Sequence, residues 1–232
     1  MLDELILLTR KLIIFLVEGV TEEISFGMIF SEILKDKEIE FAIIHGDITT
    51  KKEVNYQNIK GKVKQQIKSF LSKEHYKKSD ILKIVHITDT DGVYIADRLV
   101  TKHNGNNILY HENKILSCSP DITVKRNKKK SRILNILKST NKIYGINYNI
   151  YYLSCNLEHV LHNEANVDRE YKKIKAEEFE EKYFDREHEF LDFIRSEQIA
   201  VQGNFQETWK YIKKDLNSLK RNSNLHLIFN DY

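Results

Sequence analysis

The chain has 232 residues, 41% hydrophobic and 31% charged, an apolar share that supports a packed core and excludes disorder along the whole length. With 8 Gly and 1 Pro it excludes collagen-like, Pro-rich and Gly/Ser-linker architectures and disfavours an all-β fold of many tight turns. The net charge of +3, from 37 basic and 34 acidic side chains, means that any nucleic-acid footprint has to be local.

Near the start, the apolar runs 5–8 and 12–17 are interrupted by Arg10 and Lys11. They fall short of the roughly 20 residues that a membrane span requires. Asp3 and Glu4 spoil the basic start of a signal peptide. Two cysteines, Cys118 and Cys155, make no disulfide framework. The expectation is a soluble, cytoplasmic chain with no membrane partner.

Residues 11–17 form a short, continuous, β-branched apolar run, the pattern of a strand buried on both faces. Glu18-Gly19 ends it. Thr21 is placed to cap a helix over 21–35, with Glu22 and Glu23 in its first turn and Phe26, Ile29, Phe30, Ile33 and Leu34 at helical spacing. Residues 40–44 predict a second strand ending at His45 and Asp47, which are expected to terminate it and cap the next segment. Ile59, Val63, Ile67, Phe70 and Leu71 mark a second helix, and 81–87 a third strand that stops at Thr88-Asp89-Thr90-Asp91-Gly92.

Residues 93–130 show little regularity, with a turn or loop at 104–107. The basic run 125–132 precedes a short helix expected over 132–139, and 149–153 predicts a fourth strand. Beyond about 167 the chain is densely charged. Phe190, Leu191, Phe193 and Ile194 mark one helix there; Phe205, Trp209, Ile212, Leu216 and Leu219 mark another; and 225–229 reads as an edge strand. Tyr148, Tyr151, Tyr152 and Trp209 are expected in the core. The order strand, helix, strand, helix, strand argues for an α/β fold with a mostly parallel, Rossmann-like sheet flanked by helices. Residues 1–165 would form the catalytic domain, and 166–232 a helical extension packed on it.

In open α/β sheets, ligands bind beyond the carboxyl ends of the strands. Glu18, the pair Asp89 and Asp91, and Glu158 all lie at such ends. Carboxylates brought that close cannot all ionise without a cation, and hard oxygen donors suit Mg²⁺ or Mn²⁺. No Cys/His spacing matches a zinc site, since His159 and His162 lack a cysteine partner. Either acidic motif alone is most often a capping or solvated turn; their order and placement favour a site. The basic residues Lys125, Arg126, Lys128, Lys129, Lys130 and Arg132 are candidates for neutralising phosphates, against the plainer reading of a solvated loop.

Leu16-Val17-Glu18-Gly19-Val20-Thr21-Glu22, paired with Thr88-Asp89-Thr90-Asp91-Gly92, resembles a Toprim domain, the metal-binding module of topoisomerases, primases and several nucleases. The Glu-Gly-x-Thr-Glu form resembles in particular the nuclease part of the overcoming-lysogenization-defect (OLD) family. The resemblance covers residues 11–165. It implies Glu18 as the first-strand glutamate, Glu22 as an added acidic ligand, Asp89 and Asp91 as the Asp-x-Asp pair, and Glu158 as the later acidic ligand, with Ser154 or Asn156 as polar helper. It also implies a downstream lysine, for which Lys220 is a candidate and Lys128 to Lys130 compete.

The expected chemistry is metal-dependent hydrolysis of DNA or RNA. In the two-ion version Glu18 and Glu158 hold one ion, and Glu22, Asp89 and Asp91 the other. A one-ion version would use Glu18 as general acid or base. The chain has no Gly-x-x-x-x-Gly-Lys-Ser/Thr loop, so the resemblance implies a stand-alone nuclease part, working alone or with a separately encoded ATPase, in anti-phage defence. The alternatives are a ribonuclease acting on structured RNA and a non-catalytic Toprim-fold regulatory subunit.

Overall fold

The computed structural model describes residues 11–35, 38–43 and 47–230. The expected position of His45 lies outside them. In chain order the elements are β1 (Leu12–Val17), α1 (Val20–Ile33), β2 (Glu38–Ile43), α2 (Ile59–Lys73), β3 (Ile81–Asp89), β4 (Val100–Lys102), β5 (Leu109–His111) and β6 (Lys114–Ser117). Then come α3 (Pro120–Lys138), β7 (Lys142–Ile143), β8 (Ile146–Leu153), α4 (Leu157–His162), α5 (Lys172–Tyr183), α6 (Glu187–Arg195) and α7 (Phe205–Tyr211).

The main sheet has the order β2-β1-β3-β8-β7, parallel throughout except for the short antiparallel β7. This is an α/β architecture with a mostly parallel sheet flanked by helices. Successive side chains of a strand point to opposite faces, and β1 divides accordingly. Leu12, Ile14 and Leu16 pack with Val63, Ile67 and Leu71 of α2 and Ile133, Leu134 and Leu137 of α3. Ile13, Phe15 and Val17 pack with Phe26, Ile29 and Phe30 of α1 on the other face. Both faces of β1 are therefore dry, which is why its sequence shows no polar alternation.

From β1 the chain passes through α1 to β2 on one side, then through α2 to β3 on the other side of β1. The strand order thus reverses between β1 and β3. A reversal of this kind opens a crevice at the carboxyl ends, the usual ligand position in such sheets.

The C-terminal stretch joins the α1 face of the core. Phe179 of α5, Phe190 of α6 and Phe229 lie in one cluster with Phe15, Phe26 and Phe30, with the Phe30 and Phe229 rings 4.9 Å apart. The expected edge strand at 225–229 is instead a 3-10 turn, because Leu225, Ile228 and Phe229 all turn inward to this cluster. The near-heptad stripe of 205–219 is likewise not one helix. α7 ends at Tyr211, Asp215 adopts a left-handed backbone, and Asn217–Leu219 forms a separate 3-10 turn. Trp209, Tyr148, Tyr151 and Tyr152 are core residues, and Trp209 donates to the Ile150 carbonyl at 3.3 Å.

Residues 93–117 are more regular than their sequence suggests. They carry a second sheet of order β4-β6-β5 over a small core of Ile95, Val100, Ile115, Cys155 and Leu219. The helix expected over 132–139 begins twelve residues earlier, so α3 contains the entire basic run. Ser119-Pro120-Asp121 is the start signal: proline fits the first helical position, where its missing N–H costs no bond, and the following acid faces the helix dipole.

The turn after β3 depends on one glycine. Asp91 and Gly92 both have positive φ, at 51° and 62°. A Cβ on Gly92 would lie 2.5 Å from Leu219 Cδ2 and 3.2 Å from Ile115 Cδ1. Gly92→Ala is therefore expected to cost roughly 1–3 kcal/mol through left-handed strain and overpacking. Thermal unfolding checks it, with a midpoint lowered by roughly 2–10 °C; an unchanged midpoint would contradict the tight seal between this turn and Leu219.

Candidate acidic site

Glu18 follows β1, Asp89 closes β3, Asp91 lies just past it, and Glu158 sits in the first turn of α4 after β8. These are the carboxyl ends of three adjacent parallel strands. The two acidic motifs meet directly. Glu18 Oε1 accepts from Thr88 Oγ1 at 3.0 Å and from the Asp89 backbone N–H at 3.4 Å. The turn is pinned further by two backbone bonds, Thr90 N–H to Leu153 O at 2.9 Å and Asp91 N–H to Cys155 O at 2.8 Å.

The cation at the centre is Lys130. Its side chain is fully buried, and its ammonium lies 2.7 Å from Asp47 Oδ2, 2.7 Å from Asp91 Oδ2 and 3.9 Å from Glu18 Oε1. α3 delivers it on the same face as Asn127, Ile133 and Leu134, the spacing of successive helical turns. One turn earlier, Arg126 donates to the Asp91 carbonyl at 3.4 Å and to Tyr110 Oη at 3.5 Å. Tyr110 Oη in turn donates to Asp91 Oδ1 at 3.0 Å. Asp47 performs the expected capping as well, accepting from the Thr49 N–H at 2.7 Å through its other oxygen.

On the far side, Glu158 is buried and pairs with Lys172 of α5 at 3.0 Å. Glu22 closes the start of α1. The N-cap is Gly19, not Thr21, and Glu22 Oε2 accepts from the Gly19 N–H and from Thr21 Oγ1, both at 3.1 Å.

Burial dominates the electrostatics. Desolvation, with Asp47, Asp91 and Glu22 nearby, pushes the Glu18 carboxyl up to about 8 against the pull of Lys130. Asp89 rises well above the usual carboxylate range, first through burial and then through Glu18, Glu22, Asp91 and Glu158. Its Oδ1 is buried without a hydrogen-bond partner. Burial also raises Glu22, which in addition feels Glu158. For Asp91 the sign reverses, because Lys130 and Arg126 together outweigh desolvation and hold it below its ordinary value. Lys130 is itself lifted well above its ordinary value, since Asp91, Glu18 and Asp47 outweigh the burial that would lower it.

The donor chemistry fits a hard divalent cation: all donors are oxygens, charge is in excess, and Asp89 Oδ1 is orphaned. Glu18, Glu22, Asp89, Asp91 and Glu158 are the residues that would supply donors. As placed, however, no group of three acidic, His or Cys side chains among the described residues is arranged to hold one ion. The carboxylates feel one another across the whole site: Glu18 feels Asp47, Asp91 and Glu22, Glu22 feels Glu158, and Asp89 feels Glu18, Glu22, Asp91 and Glu158.

Of the candidate lysines, Lys130 lies against the carboxylates, whereas Lys220 is exposed, one residue past the Leu219 that seals Gly92. The basic run is also not a uniform phosphate surface. Lys125, Lys128 and Arg132 are exposed, with Lys128 paired to Asp97, while Lys129 donates to the Thr50 and Lys51 carbonyls and Lys130 is inside. A helix has to turn part of any continuous charge run inward. Of the expected polar helpers, Asn156 caps α4 by accepting from the His159 N–H at 2.9 Å, and Ser154 donates to the Asn217 carbonyl at 3.2 Å. Lys172 and Tyr110 join the site from stretches with no motif, and Arg126 from the basic run; in Asp47 the only signal was its place after a strand.

Among the described residues no helix is long and apolar enough to cross a membrane. No protein-family model, curated protein or solved structure matches the chain.

Proposed function

We propose that this chain is a Toprim-type, metal-dependent phosphodiesterase that cuts DNA or RNA. One observation carries the reading: carboxylates from the ends of three adjacent parallel strands crowd a buried crevice in which burial and mutual repulsion raise Glu18 and Asp89 above the ordinary carboxylate range and one Asp89 oxygen lacks a partner. Such an excess of desolvated negative charge is what a divalent cation relieves. Mg²⁺ or Mn²⁺ held by Glu18, Asp89 and their neighbours would supply Lewis acidity and charge neutralisation at phosphorus.

The chain's own residues account for the rest. Lys130 fixes Asp91 and Asp47 and keeps Asp91 ionised. Thr88 orients Glu18. Arg126 and Lys172 flank the carboxylates with positive charge, which a polyanionic substrate needs in order to approach. Lys125, Lys128 and Arg132 lie exposed along α3 as a backbone track. An anti-phage setting, alone or with a separately encoded ATPase, is the biological context that the motif resemblance suggests.

The decisive assay incubates the purified protein with Mn²⁺ or Mg²⁺ and single-stranded DNA, duplex DNA, ribosomal RNA and transfer RNA side by side. Cleavage is expected, and Asp89→Ala is expected to lose it by at least about 10²-fold while keeping the fold by circular dichroism, since several kcal/mol of transition-state stabilisation pass through the ligand set. Full activity in Asp89→Ala would remove this site from the reaction. Preference for either RNA would favour the ribonuclease form.

A second reading has its own support. Lys130 already neutralises part of the cluster, and among the described residues no three donors converge. That arrangement suits a non-catalytic module that keeps the fold and binds a partner. Calorimetric titration with Mg²⁺ and Mn²⁺ separates the two, because uptake of neither ion favours the binding module.

A further inference from the structure

A cavity of about 300 Å³ opens beside the acidic cluster, between β5 and the loop joining α4 to α5. Asn107, Tyr110, Asn156, Val167, Arg169 and Lys172 are among the residues lining it. Its two walls are tied together by the Asn166 side chain, which accepts from the Tyr110 N–H and donates to the Tyr110 carbonyl, both at 2.8 Å. This is the double bond pattern of a paired strand, so the opening is a built feature.

The cavity shares two residues with the cluster. Tyr110 Oη is on Asp91, and the Lys172 ammonium is on Glu158. Arg169 at the rim is exposed and has no ion pair among the described residues. The lining thus combines an unpartnered guanidinium for a phosphate, the Asn107 amide with both donor and acceptor atoms for a base edge, and the apolar Ile108, Leu109 and Val167 for a ring or sugar face. Its volume sits at the small end of ligand sites, suited to one nucleotide and too small for a base pair. A base inside a duplex is stacked and would have to be extruded to enter.

We infer that this cavity seats one unpaired nucleotide next to the bond that is cut, so that the substrate is single-stranded nucleic acid or an unpaired end and not intact duplex. The inference rests on the phosphodiesterase reading, and its test separates the two. Fluorescence anisotropy in EDTA would compare a short labelled single strand with its duplex on the wild type, Arg169→Ala and the cavity-filling Val167→Trp, each checked for fold by circular dichroism. The single strand is expected to bind at least roughly tenfold more tightly than the duplex, and each variant to lose roughly tenfold on the single strand only, the scale of one lost base or phosphate contact. Equal binding of strand and duplex, or unchanged single-strand affinity in both variants, overturns the inference. If the wild type still cuts with Mn²⁺ in that case, the phosphodiesterase reading stands without it. A wild type that binds the single strand through Arg169 yet cuts nothing keeps the cavity as a nucleotide seat and removes the phosphodiesterase.

Discussion

Lys130→Met is expected to destabilise the protein by about 3–5 kcal/mol at pH 8, because it leaves buried carboxylates without their cation. The lysine is fully buried, and two of its acidic partners lie at 2.7 Å. Methionine keeps the apolar stem, so the loss is electrostatic rather than a cavity. The pH dependence follows from the directions of the shifts. Lys130 is raised, so its contribution is complete below its unfolded value and disappears only when the pH climbs through the still higher folded one. Asp91 is depressed, so its contribution is complete above its unfolded value and disappears as the pH drops through the folded one. The penalty for Lys130→Met is therefore present throughout the neutral range and shrinks toward acid, as first Glu18, with its raised value, and then Asp91 take up protons and stop repelling. Urea unfolding at pH 8 and pH 5 measures both. A variant within about 1 kcal/mol of the parent at pH 8 would mean that the carboxylates find another counter-charge.

Glu18→Gln is expected to act in the opposite direction on stability and, under the phosphodiesterase reading, to cost cleavage. Glu18 has its folded value raised to about 8 by burial. A carboxyl raised in this way binds its proton more tightly folded than unfolded, so its contribution falls as the pH rises from about 4.5 to about 8 and stays low above that. Glutamine retains an oxygen for Thr88 Oγ1 and the Asp89 N–H and carries no charge to desolvate. In divalent-free buffer the variant should be more stable than the parent at pH 8.5, by on the order of a few kcal/mol, and indistinguishable from it near pH 4.5. Under the phosphodiesterase reading the same change lowers cleavage by at least about 10²-fold, a site that gives up stability for function. Thermal melts across that pH range decide the first part. Equal stability at both ends would mean that Glu18 is not penalised by burial and that the crevice makes no electrostatic demand for a divalent cation.

Much of the sheet was legible because the code for a doubly buried parallel strand is local. Residues 11–17 and 81–87 read as strands for the reason β1 and β3 form there: β-branched, mainly apolar runs stopped by acidic turns. α1 and α2 followed from their apolar spacing, and Glu18, Asp89 and Asp91 from their place after the strands. The C-terminal turn at 225–229 failed for the same reason in reverse. A short run of four apolar residues around His226 satisfies a strand or an inward-facing turn equally, and packing against Phe30 and Phe190 chose the turn.

What the sequence alone determined is the set of acidic strand ends and the α/β layering, since both are written in short windows of polarity. What only the tertiary structure decided is which charges meet. Lys130 stands in a run of similar basic residues, and nothing local separates it from Lys128 or Lys129. The rotation of α3 against the sheet turns it inward onto Asp47, which is 83 residues away, while its neighbours face solvent or loop carbonyls. Lys172 reaches Glu158 from another helix in the same way. Coulomb attraction in a low-dielectric interior depends on distance through space and not along the chain, so the pairing was fixed only when the helices packed.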